Sequence, residues 1–146
     1  MRLNDGVRKF YQNNYNCAEA VFLGATGAYD LQLEASLSKL VGGFGGGIQT
    51  GSTCGAFLAA VSVISYLMIE DRAHETPSLK QTVACFTERV EQKLGSTRCG
   101  ELRPRYFRPD VRCQHTVDVI CEELEAVLVD LGYDTGRGGP YVRREQ

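Results

Sequence analysis

Apolar side chains recur along this chain every three to four residues, and runs of alternating β-branched residues are missing. The recurring period is typical of amphipathic helices, whereas alternation would indicate strands. The pattern predicts a helix over about 3–12, a second from Asn14 or Asn16 through Tyr29, and a short third helix over about 33–41. Asparagine is a favoured N-cap residue, so either one can begin the second helix.

The fourth predicted helix is almost wholly apolar. Residues 56–69 read AFLAAVSVISYLMI and follow Ser52 or Thr53 as the N-cap. A helix that crosses a membrane needs about 20 apolar residues. This shorter run is therefore interpreted as a buried central helix, and no membrane partner is expected.

Two later helices have clearer boundary signals. Thr76 as the cap and Pro77 as the first helical residue begin the fifth helix, which ends before Gly95. The last helix is predicted from Asp110 as its cap to Leu131. One face of the fifth helix carries its apolar side chains, which are Leu79, Val83, Phe86, Val90 and Leu94.

These elements predict an all-α fold, a single compact bundle of about five to six helices around the apolar central helix 56–69. The length of 146 residues fits one domain. We place that domain over 1–131 and expect a loose C-terminal tail over 132–146, where apolar periodicity is missing.

Composition narrows the function. The chain has 16 basic and 18 acidic residues, so no strong field favours nucleic acid or an anionic membrane. The first residues are polar and lack the apolar core of a secretory signal, so a cytoplasmic location is expected. In that reducing compartment, six cysteines indicate redox chemistry or metal binding rather than structural disulfides.

A glycine-rich segment, GGFGGGIQTGSTCGA, occupies positions 42–56. Gly46 and Gly51 have the spacing of a phosphate-binding loop, but Ser52 stands where that loop needs lysine, and no strand precedes it. Nucleotide binding is therefore not expected. The glycines either link two helices flexibly or let the backbone approach a thiol closely, and we favour the second. The predicted cofactor-binding glycines are Gly45, Gly46, Gly47 and Gly51.

Four cysteines share a position in the predicted helices. Cys17, Cys54 and Cys113 follow capping residues and fall in a predicted first helical turn, and Cys99 follows GSTR, which can open a further short turn. Unpaired N–H groups and the helix dipole favour thiolate there, so depressed thiol pKa values and catalytic or metal-ligating roles are expected. Arg98 and Arg112 stand directly before two of these cysteines and would add to the effect.

The remaining cysteines and the histidines receive other interpretations. Cys121 lies on the apolar face of the last helix and is predicted to be core, whereas Cys85 lies off the apolar face of its helix. His115 is expected to be exposed, and His74 is also remote from the cysteine motifs. A cysteine–histidine hydrolase therefore has no support in the sequence.

Four ordered motifs resemble a known family. They are NYNCAEAV at 14–21, the glycine-rich segment at 42–56, GSTRCGEL at 95–102 and a lone Cys113 before the last helix. Together they are similar to small bacterial and archaeal redox-active proteins named for the pattern C_GCAxxG_C_C, and to a domain of split-Soret cytochromes. The resemblance covers about 3–131 and implies that the pattern cysteines are the four chosen above.

The middle motif departs from the family name, because Thr53 and Leu58 stand where the name has glycines. The family suggests redox or metal chemistry without identifying a reaction. No C-x-x-C-H motif is present, so the haem of the cytochrome relatives is not carried over.

Three functions follow as hypotheses. The favoured one is an iron–sulfur cluster on the four cysteines, used for electron transfer with a redox partner protein; zinc in the same site would be redox-silent. In the second, Cys54 attacks a disulfide and Cys17 or Cys99 resolves the intermediate. The third is a binding module for an anionic partner, using the arginine-rich segment 98–112 with Arg103, Arg105 and Arg108. A homodimer is compatible with each of these functions.

Overall fold

The computed structural model describes residues 3–135, which form the predicted all-α fold. Within that range no strand forms, and no helix is both long and apolar enough to cross a membrane. Short 3-10 turns lie at Ala35–Leu40, Gly42–Phe44 and Ala73–Glu75, and a π turn lies at Gly47–Gly51. The α-helices are α1 (Leu3–Gln12), α2 (Cys17–Ala28), α3 (Gly55–Met68), α4 (Leu79–Leu94), α5 (Cys99–Tyr106) and α6 (Gln114–Asp130).

Helix α3 lies in the centre of the bundle, as its apolar sequence predicts. It packs against α2, α4 and α6, while α1 covers α2 and α6. Small residues at the interior positions allow these close approaches, and Phe57 of α3 stacks on Phe86 of α4 with ring centroids 5.3 Å apart. The fully or almost fully buried side chains of α3 include Ala56, Ala59, Ala60, Val63 and Ile64.

Several boundaries match the sequence pattern. Helix α1 has the predicted bounds, and Asn16 caps α2 by accepting a hydrogen bond of 3.0 Å from the Glu19 amide. The Glu19 side chain returns the bond to the Asn16 amide, which completes a capping box. In α4, Phe86, Val90 and Leu94 of the predicted apolar face are buried.

Three predicted caps are wrong. Helix α3 begins after Cys54 rather than Ser52 or Thr53, because the backbone of that segment pairs with residues 97–99. Helix α4 begins after Ser78 rather than Thr76, whose hydroxyl bonds back to the Arg72 carbonyl.

The third wrong cap concerns α6. It begins after Cys113 rather than Asp110, because a turn closed by backbone bonds between Arg108 and Arg112 holds Asp110 outside the helix.

The short elements also differ from prediction. The third predicted helix is only a 3-10 turn over Ala35–Leu40, since the glycine run follows it at once. Helix α5 is longer than the short turn predicted at Cys99, since it runs for eight residues although it contains Pro104 and buries only Leu102.

Ordered packing continues past the predicted end of the domain at Leu131. The Tyr133 side chain is buried, and its hydroxyl donates to the Leu67 carbonyl over 2.7 Å. The remainder of the predicted loose tail, 136–146, lies outside the described residues.

Candidate functional site

Four helix N-termini meet at one pocket. Cys17 and Cys99 are the first residues of α2 and α5, and Cys54 and Cys113 are the N-cap residues of α3 and α6. A place in the first turn is therefore confirmed for Cys17 and Cys99, whereas Cys54 and Cys113 lie one residue before the first turn of their helices. All four line one pocket of about 190 Å³, which we call the cysteine pocket.

Backbone pairing holds two of these cysteines side by side. The Cys54 amide donates to the Thr97 carbonyl and the Cys99 amide donates to the Ser52 carbonyl, each over 2.7 Å. These bonds flank an antiparallel bridge between Thr53 and Arg98. The starts of α3 and α5 are therefore fixed to each other by main-chain hydrogen bonds rather than by packing alone.

The glycine-rich segment presses against the thiols. At Gly47, a β-carbon would lie only 2.6 Å from the Cys99 Cβ; at Gly55, one would lie 3.0 Å from the Cys17 Sγ. A β-carbon at Gly45 would lie 2.6 Å from the Asn16 amide nitrogen, in the residue before Cys17. The predicted close approach of backbone to sulfur is therefore present, and Gly55 adds to it although the sequence did not single it out.

The segment achieves this approach through a left-handed turn. Gly46, Gly47, Ile48 and Gln49 all have positive φ, at 62°, 66°, 57° and 60°. Only glycine adopts this conformation without strain, and a β-branched residue such as Ile48 strongly disfavours it. The turn directs the Gly46 amide toward the Cys17 thiol, where it favours the thiolate.

Tyr11 of α1 holds the fourth cysteine, Cys113, in place. The Cys113 amide donates to the Tyr11 hydroxyl oxygen over 3.1 Å, and that hydroxyl also bonds the Cys113 thiol. The Arg112 guanidinium lies 3.9 Å from the centroid of the Tyr11 ring and donates to the Tyr11 carbonyl. Tyr11 is not among the predicted site residues, because nothing in its local pattern separates it from an ordinary core tyrosine.

Burial, rather than helix position, dominates the thiol pKa values. Desolvation raises the pKa of Cys17, of Cys113 and of Cys54, the last to about 12. The amides of Ala56 and Phe57 lower the pKa of Cys54, but they do not offset its desolvation. The expectation of depressed thiol pKa values is therefore wrong for these three cysteines.

The four thiols also affect one another. Negative charge on Cys17 and on Cys99 raises the pKa of Cys54, charge on Cys113 raises that of Cys17, and charge on Cys99 raises that of Cys113. These effects connect the four cysteines in a closed ring. The pocket therefore resists the accumulation of bare thiolates.

Arginine supplies the charge of the pocket lining. Arg103 and Arg112 line it, and both lower the pKa of Cys113. No carboxylate and no histidine is among the described lining residues. Arg112 has the role predicted for it beside Cys113, whereas Arg103 was predicted only as part of a partner surface.

The other cysteines and histidines lie elsewhere. Cys121 is buried in α6 and burial raises its pKa, whereas Cys85 is exposed on α4. His115 is exposed against the Tyr106 ring, as predicted. Within residues 3–135, no three His, Cys, Asp or Glu side chains are arranged as the ligand set of a single metal ion.

The raised pKa of Cys54 predicts an alkaline loss of stability. The fold favours the protonated thiol, so its contribution is complete below the ordinary pKa of about 9 and is lost as the pH rises toward 12. Between pH 8 and pH 10.5, we expect the free energy of unfolding of the metal-free wild type to fall by about 2 kcal/mol more than that of Cys54→Ser. Denaturant unfolding under reductant at pH 8 and pH 10.5 measures this loss. Cys85→Ser is the control. An equal fall in the free energy of unfolding for the wild type and Cys54→Ser would refute the assignment of the loss to Cys54.

Comparison with known proteins agrees with the resemblance in the sequence. The family model described as "Putative redox-active protein (C_GCAxxG_C_C)" matches residues 15–127. An uncharacterized protein of Archaeoglobus fulgidus is 28% identical over 127 residues, covering 80% of this chain and 84% of its own length. No solved structure matches the chain.

Proposed function

From the premise that this chain belongs to the redox-active C_GCAxxG_C_C family, we propose that it carries electrons on an iron–sulfur cluster. Cys17, Cys54, Cys99 and Cys113 would be the ligands. The observation that carries the proposal is that all four line one pocket although they come from distant parts of the chain. Four cysteine thiolates are the usual ligand set of [2Fe–2S] and [4Fe–4S] clusters.

The donor set fits such a group. The described lining residues offer four sulfurs and no carboxylate or imidazole, which suits metals that prefer soft ligands. Backbone amides of Ala18, Gly46 and Ala56 face the Cys17 thiol, and hydrogen bonds of this kind tune cluster potentials. Arg103 and Arg112 would offset the negative charge of four thiolates. A bound cluster would supply one-electron redox chemistry.

Zinc on the same four cysteines is the alternative, and it would be redox-silent. The description of the family as redox-active therefore favours a cluster over zinc.

Direct thiol–disulfide exchange is the second candidate. It is favoured by the proximity of Cys17 and Cys54, since charge on the first raises the pKa of the second. With a pKa of about 12, however, only about one Cys54 in 10⁵ is a thiolate at pH 7. Because the thiolate is the attacking species, Cys54 is a poor nucleophile in this environment. Either chemistry needs reduced thiols, which agrees with a proposed cytoplasmic location.

Elemental analysis after anaerobic reconstitution with iron and sulfide tests the proposal. We expect bound iron, acid-labile sulfide and brown visible absorption. Protein that emerges with bare thiols, or with zinc alone, would contradict the cluster. Thiol titration with and without reductant is the companion measurement, because a fall in free thiols under oxidation would favour the disulfide mechanism.

A further inference from the structure

We infer that the surface beside the cysteine pocket docks a carboxylate-rich electron-transfer protein, an inference that rests on the proposed function. The surface comprises Arg103, Phe107, Arg108 and Val111, and we call it the arginine face. It spans the exposed side of α5 and the turn before α6.

The arginines of this region have no acidic partner among residues 3–135. Segment 98–112 has five arginines and two acids, a net charge of +3 in a chain of net charge −2. Among residues 3–135, arginines elsewhere pair with carboxylates, as Arg8 does with Asp118 and Arg89 with Glu123, but none in this segment does. The charge of the arginine face is therefore free to attract carboxylates.

Apolar side chains lie among these charges. Phe107 is 37% exposed and Val111 is 44% exposed. The Arg103 guanidinium lies over the Phe107 ring, 4.6 Å from its centroid. Aromatic residues and arginine are enriched in protein interfaces, so an arginine that lies over an exposed Phe favours a docking role.

The arginine face adjoins the redox site. Arg103 and Phe107 line the cysteine pocket as well as the outer surface. A protein docked there would bring its own redox group close to the four sulfurs, and electron transfer slows steeply with distance. The partner's redox group would lose one electron and the four-cysteine site would gain it, or the reverse, with no bond made or broken.

A protein fits this surface better than a nucleic acid does. Nucleic-acid sites depend on many phosphate contacts from a strongly basic surface. Here the surface includes the exposed Phe107 and Val111 and belongs to an acidic chain of pI about 5.7. Electron-transfer complexes are small and transient, which suits a patch of this size.

The test measures binding of a plant-type ferredoxin, used as a carboxylate-rich probe, by calorimetry at low salt. We expect Arg108→Glu to weaken binding about tenfold. Arg72→Glu should leave binding unchanged, because it reverses an exposed arginine that is paired with Asp71 and Glu75 on another turn. The effect of Arg108→Glu should shrink at high salt, since screening weakens exposed charges.

Measuring both iron-loaded and iron-free protein separates this inference from the proposed function. Ferredoxin binding that depends on Arg108 in protein that never takes up iron would uphold the docking face and refute the cluster. Iron uptake with equal ferredoxin binding by both reversal variants would refute the docking face alone. Absence of ferredoxin binding at low salt, or tighter binding of a short DNA duplex, would also overturn the inference.

Discussion

Replacing Cys54 by serine is expected to remove bound iron and sulfide while leaving the protein folded. A serine hydroxyl does not ionise at neutral pH and is a harder ligand than thiolate, so one of four ligands is lost. The same loss is expected for Cys17→Ser, Cys99→Ser and Cys113→Ser. Iron and sulfide content after anaerobic reconstitution is the measurement.

Helix capping makes this prediction sharper. Cys54 and Cys113 occupy N-cap positions without a standard side-chain cap, and at Cys54 the Ala56 and Phe57 amides reach only a weakly accepting sulfur. Serine is one of the best N-cap residues, and a good cap contributes about 1 kcal/mol. The metal-free Cys54→Ser and Cys113→Ser variants should therefore melt at or above the wild-type temperature. Lost iron with unchanged or raised stability separates loss of a ligand from misfolding.

Cys85→Ser is the matched control, because Cys85 is exposed on α4 and does not line the pocket. It should retain the wild-type iron and sulfide content. Retention of that content by Cys54→Ser would contradict the assignment of Cys54 as a ligand. A cysteine at a position where serine would cap the helix better is a conflict between local stability and function, of the kind expected at a functional site.

Local sequence features predicted that the four cysteines stand at the starts of helices. Capping or turn residues before each one place it at a helix start, and all four helices do begin there. The bounds of α1 and the buried face of α4 likewise follow from periodicity within each element. Such signals are readable because the interactions that produce them span only a few residues.

Long-range contacts decided what could not be predicted. The cap of α3 moves to Cys54 because Ser52 pairs with Cys99, 47 residues later in the chain. Tyr11 reaches Cys113 across 102 positions. The sign of the thiol pKa shifts depends on burial by several elements at once, so the helix dipole alone gives the wrong direction.

Alanine at Gly47 or Gly55 is expected to disrupt both the fold and the site. At Gly47, where φ is +66°, a β-carbon would lie 2.6 Å from the Cys99 Cβ and from the Ser52 backbone. At Gly55, it would lie 2.5 Å from the Phe44 carbonyl oxygen. Overpacking of this kind costs about 1–3 kcal/mol, and at Gly47 the left-handed backbone adds roughly 1–2 kcal/mol.

Gly43→Ala provides the comparison, because a β-carbon at Gly43 meets nothing within 4 Å and the residue is exposed. It should match the wild type in melting temperature and iron content, whereas Gly47→Ala and Gly55→Ala should fall in both. Equal behaviour of the Gly43 and Gly47 variants would mean that the glycine-rich segment only links helices. Because each clash involves a pocket cysteine or a residue next to one, the loss of iron should follow directly from displaced sulfur.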